Sequence, residues 1–116
     1  MCIRDRTVLS GDDSLTLPMM ALGAKGVITV TANVVPKDMA TMVNAALAGN
    51  FAEARASHFK LASLFSALFY ETNPIPVKEA LAMMNKIEPE FRLPLTPLSS
   101  DNRERLRQVM KNSGLI

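Results

Sequence analysis

The spacing of apolar residues changes near residue 35, and the change predicts how the chain is organised. Ahead of it lie two short β-prone runs, Thr7-Val8-Leu9-Ser10 and Gly26-Val27-Ile28-Thr29-Val30-Thr31, both of which are predicted as strands. The first stops at Gly11-Asp12-Asp13, a sequence suited to a loop. Between the runs, Leu15, Met19, Met20 and Leu22 predict one or two helical turns closed by Gly23. A strand, a short helix and a second strand make one βαβ unit, whose crossover favours parallel pairing. Two strands alone leave rows of backbone donors and acceptors unpaired, and the apolar run Val27 to Val30 would keep one face uncovered. The pattern is therefore expected to belong to a larger sheet.

From Pro36 onward the apolar positions fall at helical spacing. Met39, Met42, Val43, Ala46 and Leu47 form one stripe, with Pro36 near the start and Gly49 as the stop. A second helix is predicted from near Phe51 to before Asn73, with Leu61, Phe65, Leu68 and Phe69 on its inner face. Asn73 is suited to cap the next helix, with Pro74 and Pro76 in its first turn, where a missing N–H costs least. Val77, Ala80, Leu81 and Met84 give that helix its stripe, and Asn85 suits the left-handed terminating position usually held by glycine. The segment from Ile87 to Leu98 contains three prolines and is predicted to be extended. Ser99 or Ser100 would cap the last helix, Asp101 would favour its positive end, Leu106, Val109 and Met110 would face inward, and Gly114 would end it.

Composition narrows the class only modestly. The chain has 116 residues, 48% hydrophobic and 21% charged, an ordinary globular balance with room for one modest domain. Its net charge of +2 is spread among alternating acids and bases, which argues against a nucleic-acid or membrane surface. One cysteine, Cys2, excludes an internal disulfide and fits a reducing compartment, with the cytoplasm as the default. No apolar run approaches the roughly 18–20 residues needed to span a bilayer, and the N-terminus lacks the apolar core of a signal peptide. The opening residues 1–6, Met1-Cys2-Ile3-Arg4-Asp5-Arg6, fit no periodic element and are expected to be a junction or assembly scar, which leaves Cys2 without functional weight.

Several uncommon strings then occur in order: Leu9-Ser10-Gly11-Asp12-Asp13, Gly26-Val27-Ile28-Thr29-Val30-Thr31-Ala32-Asn33-Val34, Glu71-Thr72-Asn73-Pro74-Ile75-Pro76-Val77-Lys78, and Arg92-Leu93-Pro94-Leu95-Thr96-Pro97. On these the chain resembles the dihydrodipicolinate synthases, over residues 7–116. The resemblance implies an α/β fold: residues 7–49 would supply the last two strands of a (β/α)8 barrel, and residues 50–116 a C-terminal helical domain, so that this part is mostly α. Barrel enzymes place their chemistry at the C-terminal ends of strands. In the family, the position of Gly11 lines the pyruvate site, where the missing side chain admits substrate. Ile28 matches a family residue whose backbone carbonyl faces pyruvate, and its side chain is expected mainly to pack. The implied reaction condenses pyruvate with aspartate semialdehyde on the way to diaminopimelate and lysine, through a Schiff base on a lysine. That lysine, a proton-relay tyrosine and a carboxylate-binding arginine lie upstream in the family, so no catalytic residue is expected here and the chain alone is expected to be inactive. No cofactor or metal is implied, and the family is usually a homotetramer, with the short helix near Leu22 in a region able to face a neighbouring subunit.

Other candidates have plainer explanations. Lys25, Lys37, Lys60, Lys78, Lys86 and Lys111 all fall in ordinary polar surroundings, whereas a Schiff-base lysine needs burial or a neighbouring cation to lose its proton. Asp12 and Asp13 are adjacent, so their side chains point apart, and a loop cap or a peripheral substrate contact is preferred over a metal site. His58, the single histidine, has no second ligand at suitable spacing, and Tyr70 sits at a helix end. The methionines occupy helix core positions. Two other readings compete: a freestanding helical interaction module built from the four helices after Pro36, and part of a related pyruvate-dependent aldolase with another acceptor.

Overall fold

The computed structural model describes residues 6–116, through α1 (Thr16–Ala21), a 3-10 turn (Thr31–Asn33), α2 (Pro36–Leu47), α3 (Phe51–Ala67), α4 (Ile75–Met83) and α5 (Ser100–Asn112). Most of the predicted junction, residues 1–5, lies outside the described residues. The chain divides into two compact units, Met1–Ala62 and Ser63–Ile116, with the division falling inside α3.

In the first unit, Leu17, Met20, Ala24, Ala45, Ala46 and Ala54 form a core against which Val8, Met19 and Val43 pack. Pro36 stands in the first turn of α2 as predicted, and the helix closes on Gly49. Gly49 takes φ +80°, the Gly49 N–H donates to the Ala46 carbonyl at 3.0 Å, and the Asn50 N–H donates to the Ala45 carbonyl at 2.9 Å. This left-handed closure satisfies two carbonyls that the helix leaves unpaired. Asn50 then starts α3: its Oδ1 accepts from the Glu53 N–H at 3.2 Å and its amide donates to Glu53 Oε2 at 2.8 Å, a capping box in outline. The buried stripe of α2 is Met39, Met42, Ala45 and Ala46. Leu47, expected to face inward, is 52% exposed, because burial of Ala45 rotates the inward arc away from it.

The two predicted strands are not strands here. Among the described residues they share a single parallel bridge, Ser10 to Val27. The Lys25 N–H donates to the Val8 carbonyl at 2.9 Å, while the Ser10 N–H donates to the Gly26 carbonyl at 2.8 Å, so the pairing slips by one residue between these bonds. A regular parallel ladder advances two residues on both sides at each step. The second run then ends early, because Thr31, expected in the strand, opens the 3-10 turn.

In the second unit, Leu64, Phe65, Ala67, Leu68, Ile75, Val77, Ala80, Leu98, Leu106 and Met110 are buried. Phe69, expected on the inner face of α3, is 49% exposed, since the helix has ended at Ala67 and the turn carries the ring outward. Asn73 does not cap α4; Pro74 occupies the cap position and no side chain caps it. The Ile75 N–H already bonds to the Thr72 carbonyl at 3.0 Å and Pro76 has no N–H, so few first-turn donors remain for a cap to satisfy. The other end agrees with the sequence reading. Asn85 takes φ +56°, and the N–H groups of Asn85 and Lys86 donate to Ala82 and Leu81, each at 2.9 Å. Ser99 is the N-cap residue of α5 without a side-chain cap bond, and its hydroxyl donates to Glu71 Oε1 at 2.7 Å.

Candidate functional site

The Ser10–Val27 bridge builds the site. The Ile28 N–H donates to the Ser10 carbonyl at 2.9 Å, so Gly11 and Ile28, the two residues expected to line a substrate pocket, follow the bridge on adjacent runs. Gly11 is exposed, and a methyl group added there would meet nothing within 4 Å in this chain. Ile28 is 74% exposed in this chain, with no further layer over the bridged run among the described residues.

Two neighbouring carboxylates shape the loop beyond Gly11, and they do point apart. Asp12 folds back on its own turn, where Oδ1 accepts from the Ser14 N–H (2.8 Å), the Ser14 hydroxyl (2.6 Å) and the Leu15 N–H (3.2 Å). The Ser14 hydroxyl bond, chiefly, holds its carboxyl below the ordinary aspartate value; burial opposes it, and the two backbone N–H groups add to the lowering. Asp13 is 2% exposed and reaches across to the second run. Its Oδ2 accepts from the N–H of Val30 (3.2 Å), the N–H of Thr31 (2.8 Å) and the Thr31 hydroxyl (2.7 Å). Asp13 Oδ1 is buried without a hydrogen-bond partner among the described residues. Ser10, also buried, donates its hydroxyl to the Asp12 carbonyl at 2.6 Å. Sequence reading found both acids, but the span from Asp13 to Thr31 has no local signature.

Several polar side chains outside this loop do architectural work. Lys78 donates to the Glu90 carbonyl and lies 5.2 Å from the centre of the Phe91 ring, so the lysine of the proline-rich string secures the extended segment. Lys60 pairs with Asp38 at 2.8 Å on the surface. Tyr70 stacks under Arg105, whose guanidinium carbon is 4.2 Å from the ring centre. Glu71, which heads the proline-rich string but to which the sequence assigns no role of its own, receives the Ser99 N–H (3.1 Å), the Ser99 hydroxyl (2.7 Å) and the Asn102 amide (2.9 Å) at the start of α5. Those bonds, the Asn102 amide foremost, hold its carboxyl below the ordinary glutamate value. Buried Glu79 accepts from Arg103 Nε at 3.2 Å. A cleft of about 570 Å³ in the same unit is lined in part by Lys86, Ile87, Arg103 and Arg107, and includes neither Gly11 nor Ile28. Among the described residues no group of three or more histidine, cysteine or acidic side chains is placed to hold a metal, and no helix is long and apolar enough to cross a membrane.

The chain is similar to known proteins in sequence and in fold. The pattern of the dihydrodipicolinate synthetase family matches residues 1–113. The 4-hydroxy-tetrahydrodipicolinate synthase of Thermodesulfovibrio yellowstonii is 55% identical over all of this chain, and that of Aquifex aeolicus is 58% identical over 94% of it. In structure, the dihydrodipicolinate synthase of Aquifex aeolicus superposes with a TM-score of 0.94 at 56% identity, over 97% of this chain and 38% of that one. The Thermotoga maritima enzyme superposes at 0.93 with 48% identity, over 97% of this chain and 38% of its own. The chain spans about 40% of the length of the first of these curated relatives and 37% of the second. A family pattern running nearly from end to end, together with close structural agreement at high identity, shows that this chain belongs to the dihydrodipicolinate synthetase family.

Proposed function

We propose that this chain is the C-terminal part of a 4-hydroxy-tetrahydrodipicolinate synthase, a lyase that condenses pyruvate with aspartate semialdehyde in the diaminopimelate route to lysine. Residues 7–49 supply the last two strand positions of a (β/α)8 barrel, and residues 50–116 the helical domain that follows. The observation that carries this reading is the Ser10–Val27 parallel bridge, which sets Gly11 and Ile28 side by side with open space over Gly11. At Gly11 the absent side chain leaves room for pyruvate, and the Ile28 main chain offers it a carbonyl. The exposed side chains of Leu9 and Ile28 fit a surface completed by the rest of the barrel, with the whole enzyme a homotetramer in the cytoplasm.

The chemistry needs a lysine amine that attacks the pyruvate ketone and loses water, giving a protonated imine that draws electrons from the adjacent carbon as the enamine forms. Lys25, Lys37, Lys60, Lys86 and Lys111 are exposed in this chain, and Lys78 is engaged by Glu90 and Phe91. In keeping with this, the resemblance places the nucleophile, the proton-relay tyrosine and the carboxylate-binding arginine outside these residues. The test is intact-mass measurement after incubation with pyruvate and borohydride, which fixes an imine as a stable adduct. The chain alone is expected to give no specific adduct. Joined to the missing remainder of the Aquifex aeolicus relative, it is expected to give one adduct on a lysine outside this chain; a stoichiometric adduct on any lysine within it would overturn the assignment.

A further inference from the structure

The peptide that carries the Ile28 carbonyl is held from both sides by residues of the Gly11 loop. On its near side the Ile28 N–H donates to the Ser10 carbonyl at 2.9 Å. On its far side the Val30 N–H donates to Asp13 Oδ2 at 3.2 Å, and the same oxygen takes both the N–H and the hydroxyl of Thr31, at 2.8 and 2.7 Å. Asp13 is 2% exposed, so these bonds are sheltered from competing water. A charged acceptor makes stronger bonds to N–H and O–H donors than a neutral one, and three donors converging on one oxygen fix its direction. Burying a carboxylate is nevertheless a costly way to fasten a loop, which makes its place beside the candidate site informative.

We infer that Asp13 is a positioning residue for substrate: by clamping the Val30–Thr31 turn to the Gly11 loop, it keeps the Ile28–Thr29 peptide oriented so that the Ile28 carbonyl faces the space over Gly11. The inference rests on the function proposed above and adds a residue that does not touch substrate. Loss of the clamp lets that peptide rotate while the Ser10–Val27 bridge remains, so the effect falls on pyruvate binding ahead of the chemical step.

The enzyme for the test is this chain joined to the remainder of the Aquifex aeolicus relative. Asp13→Asn keeps the shape and one acceptor oxygen but removes the charge. It is expected to raise KM for pyruvate about tenfold while changing kcat less than about twofold, the pattern of lost binding geometry. Thr31→Ser retains both donors and should stay within about twofold of the parent. Thr31→Val removes only the hydroxyl bond and should raise KM by a smaller factor, and adding it to Asp13→Asn should cost little more, because both act on one set of bonds. An unchanged pyruvate KM in Asp13→Asn, or a fall in kcat alone matching a loss of folded protein, overturns the inference. Should Asp13→Asn fail to fold, an unchanged KM in Thr31→Val does the same. Failure of the underlying reading looks different: no borohydride-trapped pyruvate adduct in the parent enzyme, or no response to Gly11→Ala, removes the pocket itself.

Discussion

In the Met1–Ala62 unit the buried or turn-forming carboxylates of Asp12 and Asp13 shape loops through main-chain N–H groups, whereas in the Ser63–Ile116 unit those of Glu71 and Glu79 tie one helical element to another. Asp12 and Asp13 between them engage four backbone N–H groups and two hydroxyls around Gly11 and Thr31. Glu71 instead fastens the turn after α3 to the start of α5, and Glu79 on α4 pairs with Arg103 on α5. On the function proposed above, the difference follows from what each unit must present. A site that offers backbone to a ligand cannot use those groups in a regular helix or sheet, so side chains have to fix the loops instead. A supporting unit closes its backbone bonds within helices and relies on burial, as at Leu106 and Met110.

Mutations separate these roles, and the sharpest break is expected in the helical unit. Leu106 is fully buried, and Leu106→Ala should lower stability by about 2–5 kcal/mol in urea unfolding of the joined enzyme, with the pyruvate KM of the remaining folded fraction unchanged. A shifted KM at equal folded fraction would dissolve the contrast between the units. Gly11→Ala is the converse: the added methyl meets nothing within 4 Å in this chain, so the loss of stability should fall well below that of Leu106→Ala. Its kcat/KM for pyruvate should nevertheless fall at least about tenfold, equivalent to about 1.4 kcal/mol of transition-state stabilisation.

Smaller effects sharpen the comparison. The Glu71 carboxyl is held below its ordinary value of 4.5, so its contribution is present above about pH 4.5 and fades as the pH falls through the lowered folded value. Glu71→Gln should therefore destabilise the enzyme at pH 7 by less than Leu106→Ala does, and the gap from the parent should close toward pH 3; a gap that stays constant with pH would show that charge is not what Glu71 contributes. Lys60→Ala breaks an exposed pair with Asp38 and should cost no more than about 0.5 kcal/mol in the same unfolding measurement. A larger loss would mean that surface pairing, rather than the α2 stripe, secures that part of the first unit.

Local chemistry made much of this legible in advance. Pro36, Gly49, Asn85 and Gly114 stand where the sequence placed helix starts and stops, because a fixed φ, a missing N–H or a tolerance for positive φ acts within a few residues of itself. The failures share a cause as well. Asn73 has every property of a cap, yet backbone bonding at Ile75 and the absent N–H of Pro76 leave it little to do. Ser99 has the right position for a cap, but its side chain makes no cap bond and is oriented to Glu71. The β-prone runs have the right composition for strands, but pairing is a relation between two segments, and here it extends to one bridge.

By itself, then, the sequence determined which segments form the long helices, where three of those helices end, and through its ordered strings the family to which the chain belongs. Tertiary structure alone decided that Ile28 is exposed, that Ser10 and Val27 pair, that Asp13 reaches Thr31 and that Glu71 holds the start of α5. The physical reason is range: capping, helical spacing and proline or glycine geometry act over a few residues, whereas a buried carboxylate takes whichever donors the fold brings to it, here 18 and 28 positions away along the chain.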